Sequence, residues 1–397
     1  MADSPLPQTV RRHLATDAIV ELARKLMAVP SFTAEGEEQA AQVLGSFLSR
    51  ATVPFETHPV PGFGVNLLAT LPGQSSELGL LLNGHLDVVP ASSSMPYPPF
   101  EGRLADGKLW GRGSVDMKGS LAAMACAVSA IRAAEIPLRL SAMLTAVAGE
   151  EQGNRGTDVL VRQGITARWA VVGEATGLDL VIAHKGVERY QVIVQGKAAH
   201  ESTPDRGVNA IVLAAHAIVA LESELFPRAR RQKHAILGTA TYNIGTIHGG
   251  ISRNTVPDRC VFQIAKRWVP GDSPAAIKSE IEAVVRRVLP ESAVSVAREP
   301  EFDLIPHHPL SIKPDHPLVT TLANTVRAVI GREPEQRGMA AFTDAALLQS
   351  AGIPTVVFGP GDIALAHSDQ ESIALSELQQ AAEIYAAFIL AVCGPEG

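Results

Sequence analysis

Apolar residues recur through residues 17–28 (DAIVELARKLMA) at the spacing of one helical stripe, with Ile19, Val20, Leu22, Ala23, Leu26 and Met27 on a single face. Residues 36–51 repeat that spacing around Ala40, Val43, Leu44 and Phe47, so two opening helices are predicted. The period then shortens. Residues 65–71 (VNLLATL) and 78–83 (LGLLLN) predict strands, the small residues of 119–134 a helix, and 138–147 (LRLSAMLTAV) a buried strand. This alternation is that of a layered α/β domain.

Near residue 186 the pattern changes. Residues 187–195 (VERYQVIVQ) alternate like a half-exposed strand; a helix at 207–224, strands at 239–246 and 257–267, a helix at 274–288 and a strand at 293–298 follow. The order β-α-β-β-α-β predicts a ferredoxin-like insert with one solvated sheet face. After Pro300 the first pattern resumes, with a helix at 316–330, a buried strand at 354–358 and a closing helix at 375–392. One α/β domain, residues 1–185 and 300–397, is therefore expected to be split by an insert at 186–299.

Composition adds exclusions. With 46% hydrophobic and 19% charged residues in 397, the chain is expected to bury a large core. The 34 Lys+Arg and 41 Asp+Glu residues are interspersed, which speaks against a nucleic-acid partner. Met1 to Val29 carry Asp3, Arg11, Arg12, Asp17 and Glu21 and lack the apolar core of a secretory signal. No window reaches membrane-spanning length without charge or Gly/Pro interruption, so no membrane partner is expected. Cys126, Cys260 and Cys393 are widely separated in apolar surroundings, as buried thiols of a reducing compartment are; a cytoplasmic location is expected.

The candidate chemistry lies where ionisable residues interrupt apolar text. His85 and Asp87 follow the strand at 78–83 and, at period two, point the same way. They fit a histidine hydrogen-bonded by its neighbour, or equally a ligand histidine supported by a carboxylate. Asp116 sits in the glycine-rich turn Trp110 to Gly119, where it is either a helix cap or a ligand. That turn is no dinucleotide motif, because Asp116 stands where the third glycine belongs, and no P-loop is present. Glu150 and Glu151 follow the strand at 138–147, Glu174 follows Val171-Val172-Gly173, and His367 follows the loop after Phe358. Strand ends of an open α/β sheet converge on one crevice. Gathered there, these carboxylates would repel unless cations bound them, and a thiolate-free N/O donor set suits zinc. One bridging Asp with a His and a carboxylate on each side uses five of these residues and leaves Glu150 free.

Ordered words along nearly the whole chain resemble the zinc-dependent M20 peptidases, the group of acetylornithine deacetylase, desuccinylase, aminoacylase-1 and carboxypeptidase G2. They are GHLDVVP (84–90), GRGSVDMKG (111–119), GEEQGNRGT (149–157), VGE (172–174), GKAAHESTP (196–204), GGISRNTVPD (249–258), TDAALL (343–348) and FGPGDIALAHSDQE (358–371). The resemblance implies a zinc-peptidase-like catalytic domain with a central, mostly parallel sheet flanked by helices, and an inserted α+β lid and dimerisation domain. It implies two Zn2+ per subunit, replaceable by Co2+ or Mn2+: one held by His85, Asp116 and Glu174, the other by Asp116, Glu151 and His367. Asp87 would orient His85, and Glu150 would be the general base for a hydroxide held by the two zincs. His200 would stabilise the oxyanion in the partner subunit of a homodimer, while Asn254, Arg267 and Thr343 would contact substrate. A cis peptide is expected at Asp116–Met117. Glu201 and Ala175 depart from the usual pattern without removing a ligand.

The implied activity is removal of the acyl group from a small N-acyl amino acid. The alternatives are a desuccinylase, a dipeptidase or a carboxypeptidase, then a catalytically silent binding protein on this fold; no G-x-S-x-G elbow supports a serine hydrolase. Of the other histidines, His216 is expected in a helix core, His307, His308 and His316 in a surface connection, and His184 at a hinge.

Overall fold

A computed structural model describes residues 6–300, 302, 305 and 307–395. The chain divides into two compact units, one of Met1–Ile182, Ile312–Arg337 and Thr343–Gly397, the other of Ala183–Ser311 and Gly338–Phe342.

In the first unit the opening helices are α1 (Thr16–Met27) and α2 (Ala34–Arg50), the second begun by the Thr33 hydroxyl, which accepts the Gly36 N–H at 3.2 Å. Strands β1 (Phe55–Pro59), β2 (Val65–Leu71), β3 (Leu78–His85), β4 (Ser141–Val147), β5 (Trp169–Val172) and β6 (Leu180–His184), the last two residues of which fall in the second unit, follow. Between β3 and β4 runs α3 (Lys118–Ala133), apolar on nearly every side and accordingly buried. Helix α4 (Arg155–Arg162) follows β4.

The sheet runs β1-β2-β4-β3-β5, then a late strand, Thr355–Val357, then β6. Its four central strands are parallel: Leu82 of β3 lies opposite Leu144 of β4 and Val171 of β5, and Val171 opposite Val356. The flanks are antiparallel: β1 with β2, β2 with β4, and β6 with the late strand. Only β1 and β2 are joined by a short return of chain; the other two antiparallel pairs bring together strands far apart in sequence. Four parallel strands finish at the same edge, and that edge collects the chemistry.

In the second unit, β7 (Gly186–Gln195), helix α5 (Ala210–Ala220), β8 (Thr241–Gly249), β9 (Arg259–Trp268), α6 (Pro274–Val288) and β10 (Val294–Arg298) form an antiparallel sheet ordered β8-β9-β7-β10. This is the ferredoxin-like arrangement. Tyr190, Val192, Val194, Phe262 and Ile264 face a core shared with Ala214, Ala217, Ile277 and Ile281 of the helices. Arg189, Gln191 and Gln263 alternate onto the opposite, less buried face.

Several expected boundaries moved: the strand expected at 138–147 begins at Ser141, that expected at 257–267 runs Arg259–Trp268, and two others shifted in the insert. The helix expected at 207–224 starts at Ala210, where the Asn209 side chain caps the N–H groups of Ile211 and Val212. It then widens into a π-turn at Leu221–Leu225 and closes through Phe226–Ala229, where Pro227 can supply no N–H. The stretch Ala210–Ala229 is, by length and composition, the one segment among the described residues apolar enough to cross a membrane; its Ala214 and Leu221 side packs in the core. The strand expected at 239–246 extends to Gly249 across a register irregularity between Ile244 and Thr246.

Candidate metal centre

His85 is the last residue of β3, and Asp87 follows at the same sheet edge. After β4, Gly149 turns the chain at φ +66; a Cβ there would come within 2.7 Å of the Phe63 ring, so the turn needs glycine. Glu150 and Glu151 come next, pinned because the Asp87 carboxylate accepts both their N–H groups, at 3.1 and 2.9 Å. Glu174 leaves β5 two residues past its end. Asp116 arrives on the turn before α3, with a cis peptide to Met117, and His367 on the loop after Thr355–Val357, with φ +59.

Asp116 is the common element. Its Oδ1 lies 3.0 Å from Nε2 of His85 and its Oδ2 3.0 Å from Nε2 of His367. Glu174 approaches His85 Nε2 at 3.6 Å, and Glu151 approaches His367 Nε2 at 2.8 Å. Two sets of donor atoms result, His85 with Asp116 and Glu174, and Asp116 with Glu151 and His367, the atoms of each set within 4.8 Å of one another.

Nδ1 of His85 meets the backbone oxygen of Asp87 at 2.9 Å and its Oδ1 at 3.4 Å, which places the proton on Nδ1. Nε2 therefore turns a lone pair toward carboxylate oxygens, an arrangement that repels unless positive charge sits between. The titration tendencies express the same demand. Burial works against protonating His85, but its contacts with Asp116 and Asp87 raise its pKa well above normal. Bonds to Asp116 and Glu151 push His367 up to about 10. Burial, reinforced by Asp116, pushes Glu174 well up; burial does the same to Glu150, with His85 opposing and Asp344 adding. Two imidazole nitrogens and three carboxylates, oxygen-rich and without thiolate, fit a pair of borderline divalent cations.

Further partners surround this cluster. The buried Arg112 guanidinium meets Glu371 Oε2 at 2.5 Å, while Glu371 Oε1 accepts the N–H groups of Val115 and Asp116 at 3.0 and 3.2 Å. Asn154 donates to Glu150 Oε1 and to Asp344 Oδ1, each at 2.9 Å. Burial pushes Asp344 up to about 6, against the bond from Asn154. In the sequence Arg112, Asn154, Asp344 and Glu371 sit inside the longer motif words and carry no expected role of their own. The available signal was a charge inside glycine-rich or apolar text, as at Arg112 between Gly111 and Gly113.

Thr343, expected at substrate, is buried, and its hydroxyl accepts the Ala345 N–H at 3.2 Å. Three expected site residues lie in the second unit. His200 is exposed, with Nδ1 2.8 Å from the Ser202 hydroxyl. Asn254 is exposed and accepts from Ser252 at 2.5 Å. Arg267 lines a cavity of about 410 Å³ with Arg189, Asn243 and Gln263; burial, and secondarily Arg189, lower its pKa. His184 is fully buried and edge-on to Phe342 at 5.2 Å; burial holds its pKa down at about 4. His307, expected at the surface, is buried against the rings of Phe302 and Phe342. His216 is exposed on α5, because the helix turns its alanines rather than its histidine to the core.

Residues 81–391 match the description Peptidase family M20/M25/M40. An acetylornithine deacetylase of Myxococcus xanthus is 32% identical over 341 residues, 83% of this chain and 84% of that protein. The aminopeptidase PepT of Bacillus cereus superposes with a TM-score of 0.79 at 24% identity, over 96% of this chain and 99% of its own. A Bacillus subtilis protein described as a dinuclear metal binding peptidase from the M20 family does so at 0.71 and 15% identity, over 95% and 97%. The matched span begins inside β3 and ends inside the closing helix, so it contains every side chain gathered around Asp116, and it makes this chain a member of peptidase family M20/M25/M40, a metal-dependent hydrolase of amide bonds.

Proposed function

We propose that this chain removes the acyl group from a small N-acyl amino acid in the manner of an acetylornithine deacetylase. The observation that carries the chemistry is the placement of both Asp116 oxygens 3.0 Å from a histidine Nε2. The acetylornithine deacetylase relative supports the substrate class. His85, Asp116 and Glu174 would hold one Zn2+, and Asp116, Glu151 and His367 the other, with Co2+ or Mn2+ able to substitute. Such a pair supplies Lewis acidity, polarising the scissile carbonyl and acidifying water in the site.

The chain's own residues do the rest. Asp87 keeps the His85 proton on Nδ1, so that Nε2 faces the cluster. Glu150, whose pKa burial has raised, takes the proton of the attacking water on its carboxylate and gives it to the leaving nitrogen. The amine then departs neutral.

The test is a substrate panel on protein stripped of metal and reconstituted with Zn2+, Co2+ or Mn2+. N-acetyl amino acids are expected to give the highest kcat/KM, with N-succinyl amino acids and dipeptides lower, and chelator is expected to abolish turnover. A dipeptide cleaved far faster than any N-acyl amino acid would replace deacylation by peptidase action.

The insert is assigned the role of lid and dimerisation domain. Strand β8 is one of the sheet's two outer strands, and Val212, Val219, Ile247 and Ile251 are 48, 63, 47 and 93% exposed, an apolar surface suited to a second copy. Nδ1 of His200 is engaged by Ser202, so Nε2 is the nitrogen available to donate to the oxyanion in the partner subunit's site, with Asn254 and Arg267 as carboxylate contacts and Thr343 as a substrate contact. Mixing inactive His200→Ala and Glu150→Ala subunits should restore part of the activity; no recovery removes the trans role. The three unpaired, buried cysteines support a cytoplasmic location.

A further inference from the structure

Glu150 is held by one residue in two ways. The N–H of Asn154 donates to the backbone oxygen of Glu150 at 2.9 Å, and the Asn154 side-chain amide donates to Glu150 Oε1, also at 2.9 Å. The same amide nitrogen donates at 2.9 Å to Oδ1 of Asp344, a carboxylate 190 residues further along the chain. Asn154 is 4% exposed and Asp344 fully buried. Asn154 also adopts φ +59, ψ +34, a left-handed conformation that few side chains other than asparagine accept.

An amide nitrogen carries two hydrogens, and here each points at a different carboxylate. A third anion in this place would add repulsion, and a hydroxyl could donate only once.

We propose that Asn154 is a positioning residue for Glu150, fixing Oε1 against Asp344 so that Oε2 is the oxygen left to exchange the proton. This rests on the reading of Glu150 as the proton carrier. Asp344 acts as the anchor: its backbone oxygen accepts the N–H groups of Leu347 and Leu348 at 3.0 and 3.2 Å, which fixes it independently of Glu150.

The test is Asn154→Gly, which keeps the left-handed backbone at no steric cost and removes only the amide. In zinc-loaded enzyme kcat is expected to fall about ten- to a hundredfold, the loss of one hydrogen bond to a charged group, with KM within about twofold. Bound metal, counted by elemental analysis, should equal that of the parent. Asp344→Leu should reproduce this pattern, and Asp344→Asn, which retains an acceptor oxygen, should recover most of the turnover. Full activity in Asn154→Gly overturns the positioning role, and so does a fall in metal content that accounts for the lost turnover. Glu150→Gln is measured alongside: if it keeps full turnover, it is the reading of Glu150 that falls, whereas an inactive Glu150→Gln beside a fully active Asn154→Gly sinks the role of Asn154 alone.

Discussion

Glu150→Gln is expected to lower kcat by about 10²- to 10⁴-fold, the usual contribution of a positioned acid–base group, while bound metal stays at the parent level. Glutamine fills the same volume and still accepts from Asn154 through its carbonyl oxygen, so the loop keeps its shape. What it cannot do is take up a proton. Glu150 belongs to neither set of donors that share Asp116, which is why metal content and turnover separate in this variant. The contrast is His85→Ala, which removes a donor from one set and should lose metal together with activity. Elemental analysis beside steady-state kinetics decides the matter, and near-parental kcat in Glu150→Gln would move the proton transfer to another group.

Glu371→Leu is expected to cost about 3–5 kcal/mol of stability, as is usual when one partner of a buried ion pair is removed. Arg112 and Glu371 are 3% and 0% exposed, so water cannot screen the guanidinium that remains. The N–H groups of Val115 and Asp116 would lose their acceptor as well. The double variant Arg112→Met, Glu371→Leu should recover part of the loss, since an apolar pair of similar volume leaves no uncompensated charge. Denaturant unfolding at fixed metal concentration measures both variants, and a loss below about 1 kcal/mol in the single variant would place the pair among the weak, solvated ones.

The legible part of this chain was local. His85 closes one apolar strand, Glu151 and Glu174 follow two others within four residues, and a parallel sheet delivers its strand ends to one edge, so their convergence could be reasoned from period and polarity. The ferredoxin-like insert was legible for a similar reason: its strands alternate cleanly because one sheet face is less buried. The supporting layer was hidden. Arg112 and Glu371 are 259 residues apart, and Asn154 and Asp344 190, with nothing in either local sequence to announce a partner. The antiparallel flanks were hidden too, because a short strand such as Leu180–His184, buried at every position, shows no period from which a direction could be read. The π-turn at Leu221–Leu225 depends on a helix ladder shifting by one residue, which composition does not record.

The grip of Asp87 on the amides of Glu150 and Glu151, with His85 at its side, links three tasks to one short side chain. A displacement of that carboxylate by a fraction of an ångström would misplace an imidazole, a proton carrier and a metal-facing acid at once. The bond-breaking apparatus therefore behaves as a single part that is kept or lost whole. Any gradual change in which acyl chain or amino acid this enzyme accepts has to be written on surfaces that do not lean on Asp87.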